Sequence, residues 1–437
     1  MEKKVAIHNL GCKVNAYESE IIRSRFGKSG YKIVPYGEKA DIVIINTCCV
    51  TATAEKKSRQ MLHRARKQNE NAVIAAIGCY PEVAAAVLLS DGTADLIVGS
   101  KGKENILDLI ESGARGYIKD ASAFENKCSF SDAQPARDHT RGFIKIEDGC
   151  DNFCSYCIIP YARGRVRSRK PAEVLHEVES YAKDGCRETV LSGINLSSYG
   201  KDLENENALA ELIIKVSKIE GISRIRLGSL EPVMITERFL DSVSGIKELC
   251  PHFHLSLQSG CAKTLKSMNR RYTPEEYFEK CGLLRRYFDE PSLTTDIIAG
   301  FPGESDEDFE ESFEFVRSVG FFETHVFPYS KREGTKAALM KEQVPNEVKK
   351  ERTRKLLELS SGVHKACLER RTGDTVSVLF EENETIHGRG FVSGHTPRYE
   401  KVLVPEDGVR VNEIREVKCI SLIRDASGSC CLMGEGN

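Results

Sequence analysis

Short apolar runs and longer stretches of helical periodicity alternate along most of this chain. Val5-Ala6-Ile7 leads into Gly11-Cys12, and residues 15–28 read as a helix. Residues 31–34 carry a short strand signal and 42–45 a buried one, followed by Asn46-Thr47-Cys48-Cys49; residues 53–67 then read as a strongly basic helix. Another buried strand, 73–77, ends in Gly78-Cys79, and 96–98 closes the series. Buried β-branched runs alternating with helices predict a parallel sheet covered on both faces, so residues 1–125 are expected to form an open, flavodoxin-like α/β domain.

A polar, irregular stretch at 112–140 reads as a linker; it contains Cys128, to which no role falls. Beyond it, strand signals near 142–146, 188–192, 225–228, 253–257, 293–298 and 324–327 are separated by helical patterns. Six parallel strand–helix units are too few to close an eight-strand barrel, so residues 138–370 are expected to form an open, partial (β/α)6 barrel ending in a long charged helix at 346–370. From 371 to 437 the pattern turns to short alternating runs at 375–380, 390–392, 401–404 and 415–422, which predict a small β-barrel. The fold class is therefore α/β with an all-β module appended.

At 437 residues the chain has room for about three domains of ordinary size. No apolar run is long enough to cross a bilayer, and the segment MEKKVAIHNLGC lacks the apolar core of a signal peptide, so no membrane is expected. Sixteen cysteines in such a chain are expected to be thiols or metal ligands in a reducing cytoplasm rather than disulfides. A formal net charge of −2 confines any nucleic-acid contact to local basic patches.

Three of these cysteines, Cys150, Cys154 and Cys157, fall within eight residues. Loops this short would strain a disulfide, whereas three thiolates can occupy three corners of one metal centre. On the residues alone, that centre is either a structural zinc that draws a fourth ligand from elsewhere, or an iron–sulfur cluster with one position open to a small molecule. Cys12, Cys48 and Cys79 each follow the end of an expected parallel strand. Carboxyl ends of such strands share one edge, where ligands bind, so these three are expected to gather as a second metal site, with Cys49 as the alternative to Cys48. Cys186, Cys250, Cys261, Cys281 and Cys367 have no ligand-like company and read as core or surface thiols; Cys430 and Cys431 receive no function.

The Cys150–Cys154–Cys157 spacing resembles the cluster loop of radical S-adenosylmethionine (SAM) enzymes. The segments LGCKVNAYESE, INTCCVTATAEKKSR and IGCY resemble the amino-terminal domain of their methylthiotransferase subfamily. The resemblance implies a [4Fe–4S] cluster on Cys150, Cys154 and Cys157, its fourth iron chelated by SAM, and a second [4Fe–4S] cluster on Cys12, Cys48 and Cys79. It implies SAM contacts from Tyr156 beside the adenine and from strand-end segments that contain Gly193, Ser229, Glu231, Gln258 and Gly300. It implies reductive cleavage of SAM to a 5′-deoxyadenosyl radical, hydrogen removal from C2 of an adenine, and insertion there of a methylthio group whose methyl comes from another SAM. A low-potential electron donor such as flavodoxin or ferredoxin is implied as well. The last module resembles TRAM, an RNA-binding β-barrel of tRNA-modifying enzymes, although from Arg371 onward it carries eight Lys/Arg against eleven Asp/Glu.

Arg163, Arg165, Arg167, Arg169 and Lys170 put five cations into eight residues beside the cysteine loop, and Lys56, Lys57, Arg59, His63, Arg64, Arg66 and Lys67 form a second run. A charge run is commonly just a solvated face. Two of them beside two expected clusters suit a phosphate backbone, whose neutralisation releases counterions. The expected partner is tRNA: LGCKVN and LSSYGKDL resemble the subgroup acting on N6-threonylcarbamoyladenosine next to the anticodon. The alternatives are isopentenyl-adenosine in tRNA, an aspartate of a ribosomal protein and, in a different class, a zinc-stabilised RNA-binding protein without catalysis.

Overall fold

The computed structural model describes residues 2–121 and 140–436; Cys128 and the domain limits expected at 125 and 138 lie outside the described residues. In the first domain, strands β1 (Lys4–Asn9), β2 (Lys32–Val34), β3 (Ile42–Thr47), β4 (Val73–Gly78), β5 (Leu96–Lys101) and β6 (Gly116–Asp120) run parallel in the order 2-1-3-4-5-6. Helices α1 (Lys13–Lys28), α2 (Ala52–Gln68), α3 (Cys79–Asp91) and α4 (Ile106–Glu111) connect and cover them. Every residue of β3 is buried, as a central parallel strand covered on both sides requires. The strand order reverses between β1 and β3, which makes a crevice at their carboxyl ends.

One expectation needs correcting here. β6 lies in the stretch read as linker, yet it pairs with β5 from Leu96↔Gly116 to Lys101↔Asp120. Its side chains are half-buried or exposed, so it shows no apolar run to betray it.

The central domain is built on β7 (Arg141–Lys145), a clip of β8 (Glu147–Asp148) with β9 (Arg167–Ser168), then β10 (Glu188–Ser192), β11 (Arg224–Leu227), β12 (Ser229–Leu230), β13 (His252–Leu255), β14 (Ser292–Ala299) and β15 (Glu323–Pro328). β11 and β12 are one strand interrupted at Gly228: β11 pairs with β10, β12 with β13, and the Gly228 N–H donates to the Leu191 carbonyl at 2.8 Å. Six strand positions thus run parallel in sequence order, and among the described residues no pairing joins β7 to β15. Helices α5 (Ile159–Arg163), α6 (Pro171–Lys183), α7 (Ala208–Val216), α8 (Glu237–Val243), α9 (Ala262–Ser267), α10 (Pro274–Tyr287) and α11 (Asp306–Val319) fall between these strands, and α12 (Asn346–Arg370) leads out. Two helix starts are written plainly in the sequence as capping boxes, Thr273 with Glu276 and Ser305 with Asp308.

In the last module β16 (Thr375–Ile386), β17 (Arg389–His395), β18 (Lys401–Pro405), β19 (Ile414–Arg424) and β20 (Cys430–Gly436) close into a barrel. β20, which carries Cys430 and Cys431, completes it and was not among the four expected strands. The barrel docks on the amino ends of the central strands. Arg224 Nη1 donates to the His395 carbonyl at 2.8 Å, Arg226 Nη1 to the Pro397 carbonyl at 2.9 Å, and Arg141 pairs with Glu381 at 2.9 Å. No described helix is long and apolar enough to cross a membrane.

Candidate active site

The loop that follows β7 is clamped from several sides. Gly149 has φ +84°, and a Cβ there would lie 2.0 Å from the Arg165 carbonyl oxygen, so only glycine lets the two backbones meet. Cys150 N–H donates to the Gly164 carbonyl at 3.1 Å and Cys157 N–H to that of Cys154 at 3.0 Å. Ser155 N–H donates to the Met268 carbonyl at 3.0 Å, and its hydroxyl to the Ser267 carbonyl at 2.8 Å. The three thiols interact electrostatically with one another and are free. Burial, then the neighbouring thiols, push Cys150 up to about 11 and Cys157 up to about 12. Against that, the Arg270 guanidinium donates to Cys154 Sγ at 3.3 Å. Three soft donors from one loop beside a buried cation fit a cluster bound through thiolates.

The first domain carries its own set. Cys12 caps α1 after β1, Cys48 follows β3 and Cys79 opens α3 after β4, so the three stand at the carboxyl ends of three adjacent strands. Two asparagines tie these turns together. Asn15 Nδ2 donates to Asn46 Oδ1 at 3.3 Å and to the Thr47 carbonyl at 3.0 Å, while Cys12 Sγ lies 3.8 Å from Asn15 Oδ1. Gly78 sits at φ +101°, where a Cβ would meet Asn46 Oδ1 at 2.6 Å. Cys48 faces both Cys79 and Cys12, and burial pushes it up to about 11. Cys79 is held below the usual thiol range, first by a hydrogen bond from the Cys49 thiol and then by Arg163, against burial. The Cys49 thiol is pushed up as the donor of that pair. Cys49 thus touches Cys79, whereas Cys48 looks toward both other members. Close thiols beside a fixed positive charge are chemistry that suits a thiolate-ligated cluster.

The two sets approach each other. α5, which follows Cys157 directly, packs on α3, which begins at Cys79, and Ile158 and Ala162 share a core with Cys49, Cys79 and Tyr80. Beyond β15, Arg332 donates to the Cys49 carbonyl at 3.1 Å and pairs with Glu55 at 2.9 Å.

Two of the residues expected to hold RNA belong to this interface instead. The Arg163 side chain is 1 % exposed; it pairs with Glu18 at 3.1 Å and Asp148 at 2.9 Å, and it donates to Asn15 Oδ1. Arg169 is mostly covered, pairs with Glu177 at 2.6 Å and donates to the Tyr17 hydroxyl at 3.1 Å. Arg163 ends α5, Arg165 lies in the turn after it, Arg167 opens β9 and Arg169 follows it, so the run crosses three kinds of backbone and is not one solvated face. Arg165 is 72 % exposed, resting on the Phe153 ring, and Arg167 is half-exposed beside Asp148. Lys56 and Lys57 are exposed, while Arg59 is half-buried and donates to the Tyr80 hydroxyl at 2.5 Å.

The segments expected around SAM converge on the same edge with specific jobs. Glu231 Oε1 accepts from Asn152 at 2.7 Å and pairs with Arg270 at 3.0 Å, so its carboxylate braces the cysteine loop. Ser229 shares a hydrogen bond with Ser256 at 2.9 Å. Tyr156 packs beside Met268, Phe301, Tyr329 and Ala337. Gln258 has φ +76° in a kink whose backbone bonds Asp296 and Ile298. Gly300 is a turn glycine, φ +74°, against which the Lys349 side chain packs so closely that a Cβ would overlap it. A Cβ on Gly193 would meet Glu147 Oε2 at 2.7 Å. Glu147 itself escapes sequence reasoning: it is fully buried, its Oε2 accepts from Asn195 N–H at 2.8 Å, and its Oε1 has no partner among the described residues. Burial raises its carboxyl to about 8.

Comparison with known proteins agrees with this geometry. Residues 144–316 match the model of the radical SAM superfamily, and residues 4–99 that of "Uncharacterized protein family UPF0004". The fold resembles the radical SAM methyltransferase TsrM of Kitasatospora setae, with a TM-score of 0.56 at 14 % identity over 99 % of this chain and 88 % of that one. Fold and cysteine loop therefore define a radical-SAM enzyme, and the non-catalytic zinc alternative falls. The chain is 37 % identical to the threonylcarbamoyladenosine tRNA methylthiotransferase MtaB of Bacillus subtilis, over 95 % of this chain and 93 % of that protein. It is 38 % identical to the MtaB of Chlamydia pneumoniae, over 94 % and 93 %. It is 35 % identical to the tRNA-2-methylthio-N(6)-dimethylallyladenosine synthase of Pelotomaculum thermopropionicum, over 94 % of each. The chain belongs to the radical-SAM methylthiotransferase family.

Proposed function

We propose that this protein inserts a methylthio group at C2 of N6-threonylcarbamoyladenosine next to the anticodon of tRNA, using SAM both as methyl donor and as radical source. The observation that carries this reading is the pair of three-thiol sets on two domains, brought to one buried contact at α3 and α5. A simple methyl transfer needs no second set. Cys150, Cys154 and Cys157 would hold one [4Fe–4S] cluster, and Cys12, Cys48 and Cys79 the other. When bound, the clusters and SAM supply the electron, the radical and the sulfur that amino-acid side chains cannot.

The chain's own residues position and shield. Arg270 and Glu231 fix the cysteine loop, and the Tyr156 ring gives an apolar wall for the adenine of SAM. Gly193, Ser229, Gln258 and Gly300 shape the backbone around it. Glu147 keeps its proton at neutral pH, offering a neutral carboxyl beside Gly193 and Asn195 rather than a buried charge. RNA contact falls to Lys56, Lys57, Arg59, Arg165 and Arg167, with Arg163 and Arg169 withdrawn to the interface. The arrangement fits a flavodoxin-like domain at 1–125, a partial (β/α)6 radical-SAM barrel at 138–370 and a TRAM-like β-barrel at 371–437. It fits a cytoplasmic enzyme served by a low-potential donor such as flavodoxin or ferredoxin.

The test is nucleoside analysis of tRNA from a strain that holds no other enzyme of this kind, before and after this protein is deleted. Loss of 2-methylthio-N6-threonylcarbamoyladenosine supports the assignment; normal levels overturn it. The relatives named as dimethylallyladenosine synthases keep a second reading in view, and loss of the corresponding dimethylallyl nucleoside instead would decide for that one.

A further inference from the structure

Three side chains that the proposed reaction leaves unused meet inside the central domain. His254 of β13, Asp296 of β14 and His325 of β15 stand on three adjacent parallel strands, with Asp296 and His325 paired directly in register. Phe253, Leu255, Leu293 and Ile297 turn to the helix-covered core, and Val326 packs against it. Their alternating neighbours His254, Asp296 and His325 therefore face the inside of the array. One donor atom from each of the three lies within 4.8 Å of the other two. The side chains are 15 %, 29 % and 43 % exposed, so a small ion can reach them. The group shares no residue with either thiol set.

His254 is oriented from both edges of its ring. Its Nδ1 lies 3.0 Å from Thr294 Oγ1 and its Nε2 lies 3.2 Å from Asp296 Oδ2. With the proton on Nδ1, donated to the threonine hydroxyl, the Nε2 lone pair faces a carboxylate oxygen. Two such acceptors need a proton or a cation between them. His325 Nδ1 lies 3.5 Å from Glu323 Oε1, and the two imidazole rings stand side by side with centroids 5.7 Å apart. Imidazoles that share one tetrahedral zinc through bonds of about 2.0–2.1 Å have centroids about 5 Å apart, close to this spacing. Asp296 and Glu323 bring two negative charges, and among the described residues neither has a lysine or arginine within ion-pair distance. A divalent cation matches that charge.

We propose that His254, Asp296 and His325 bind one divalent transition-metal ion of the zinc class, separate from the iron sites. Two imidazoles and one carboxylate are borderline donors, which suit zinc better than they suit the hard, oxygen-seeking ions. Thr294 acts as a positioning residue, fixing the His254 ring through its other nitrogen. Three protein ligands leave a fourth position open to a water or another oxygen donor inside the array. The site stands whichever adenosine the enzyme modifies.

The test uses the full chain, loaded with iron anaerobically so that the cluster cysteines are occupied, then washed with a chelator and dialysed against Zn2+. Zinc and iron per chain are measured together, and parent is compared with variants so that zinc held by thiols cancels. The parent should bind one zinc more than His325→Ala or Asp296→Asn, at equal iron. Thr294→Val should keep that zinc but weaken its affinity about ten-fold. Zinc should also raise the resistance of the parent to urea and leave that of His325→Ala unmoved, because an ion held only by the folded state stabilises it. His325 is half-exposed, so its replacement spares the core, and equal urea midpoints without zinc check this. Equal zinc in the parent and both ligand variants overturns the proposal and leaves a hydrogen-bonded His–Asp pair.

Discussion

Tyr399 of the carboxy-terminal barrel stacks on His252 of the central domain, with ring centroids 4.8 Å apart and planes 20° from parallel. The same ring stacks on His395 at 4.5 Å and receives the guanidinium groups of Arg226 at 4.8 Å and Arg141 at 5.5 Å. Arg141 and His252 are the first residues of their strands, so the module plugs the amino end of the parallel array. The cysteine loop stands at the other end.

Tyr399→Ala removes that stack and its two cation contacts. A partly desolvated cation–π contact is worth about 1–2 kcal/mol and an aromatic pair about 1 kcal/mol, so a loss of about 2–3 kcal/mol is expected in urea unfolding. Limited proteolysis between α12 and β16 should accelerate, while iron bound at Cys150, Cys154 and Cys157 stays level. An unchanged cleavage rate would mean the module is held by its backbone contacts alone.

Cys79→Ala separates the two thiol sets. Iron should drop from about eight to about four atoms per chain, the content of one four-iron cluster. Reductive SAM cleavage should remain measurable and methylthiolation should vanish. If both activities disappear together, the sets do not work independently.

Much of this was legible before any coordinates. Cys12, Cys48 and Cys79 could be gathered in advance because each follows a buried β-branched run, and strand ends in a parallel sheet share an edge. The central strands were readable for the same reason. Arg163 and Arg169 were misread because charge along a sequence says nothing about which neighbours will neutralise it: Glu18 lies 145 residues from Arg163. Glu147 and Arg270 were missed because a single polar residue next to a motif carries no periodic signal; only the approach of distant strands gives it a partner. β6 was missed because it is short and partly exposed, so its pairing is set by a neighbour rather than by an apolar run; β20 was missed because glycines break up its apolar stretch CCLMGEG.

Gly78→Ala asks whether the turn that delivers Cys79 must be glycine. A Cβ would meet Asn46 Oδ1 at 2.6 Å, and the residue sits at φ +101°. Holding an L-residue in that region costs about 1–3 kcal/mol, and displacing Asn46 disturbs its hydrogen bonds to Asn15 and Ser19. The variant should fold yet lose first-domain iron as Cys79→Ala does. Full iron content would show that the turn tolerates a side chain.

Glu147→Gln tests the buried carboxyl. Folding raises its pKa to about 8, chiefly by burial, whereas an unfolded glutamate titrates near about 4.3. Between those values the folded chain holds a proton that the unfolded chain has released, so this group's contribution to stability is complete below about pH 4 and declines as pH rises toward about 8. Glutamine is neutral at every pH and has no such slope. The variant and the parent should therefore diverge between about pH 4 and about pH 8 in anaerobic urea unfolding and run parallel above that, the variant gaining up to about 5 kcal/mol relative to the parent. Curves that stay parallel would mean the carboxyl is ionised in the fold, with a cation or bound group meeting Oε1; a neutral hydrogen-bonding role beside Gly193 and Asn195 would then be excluded.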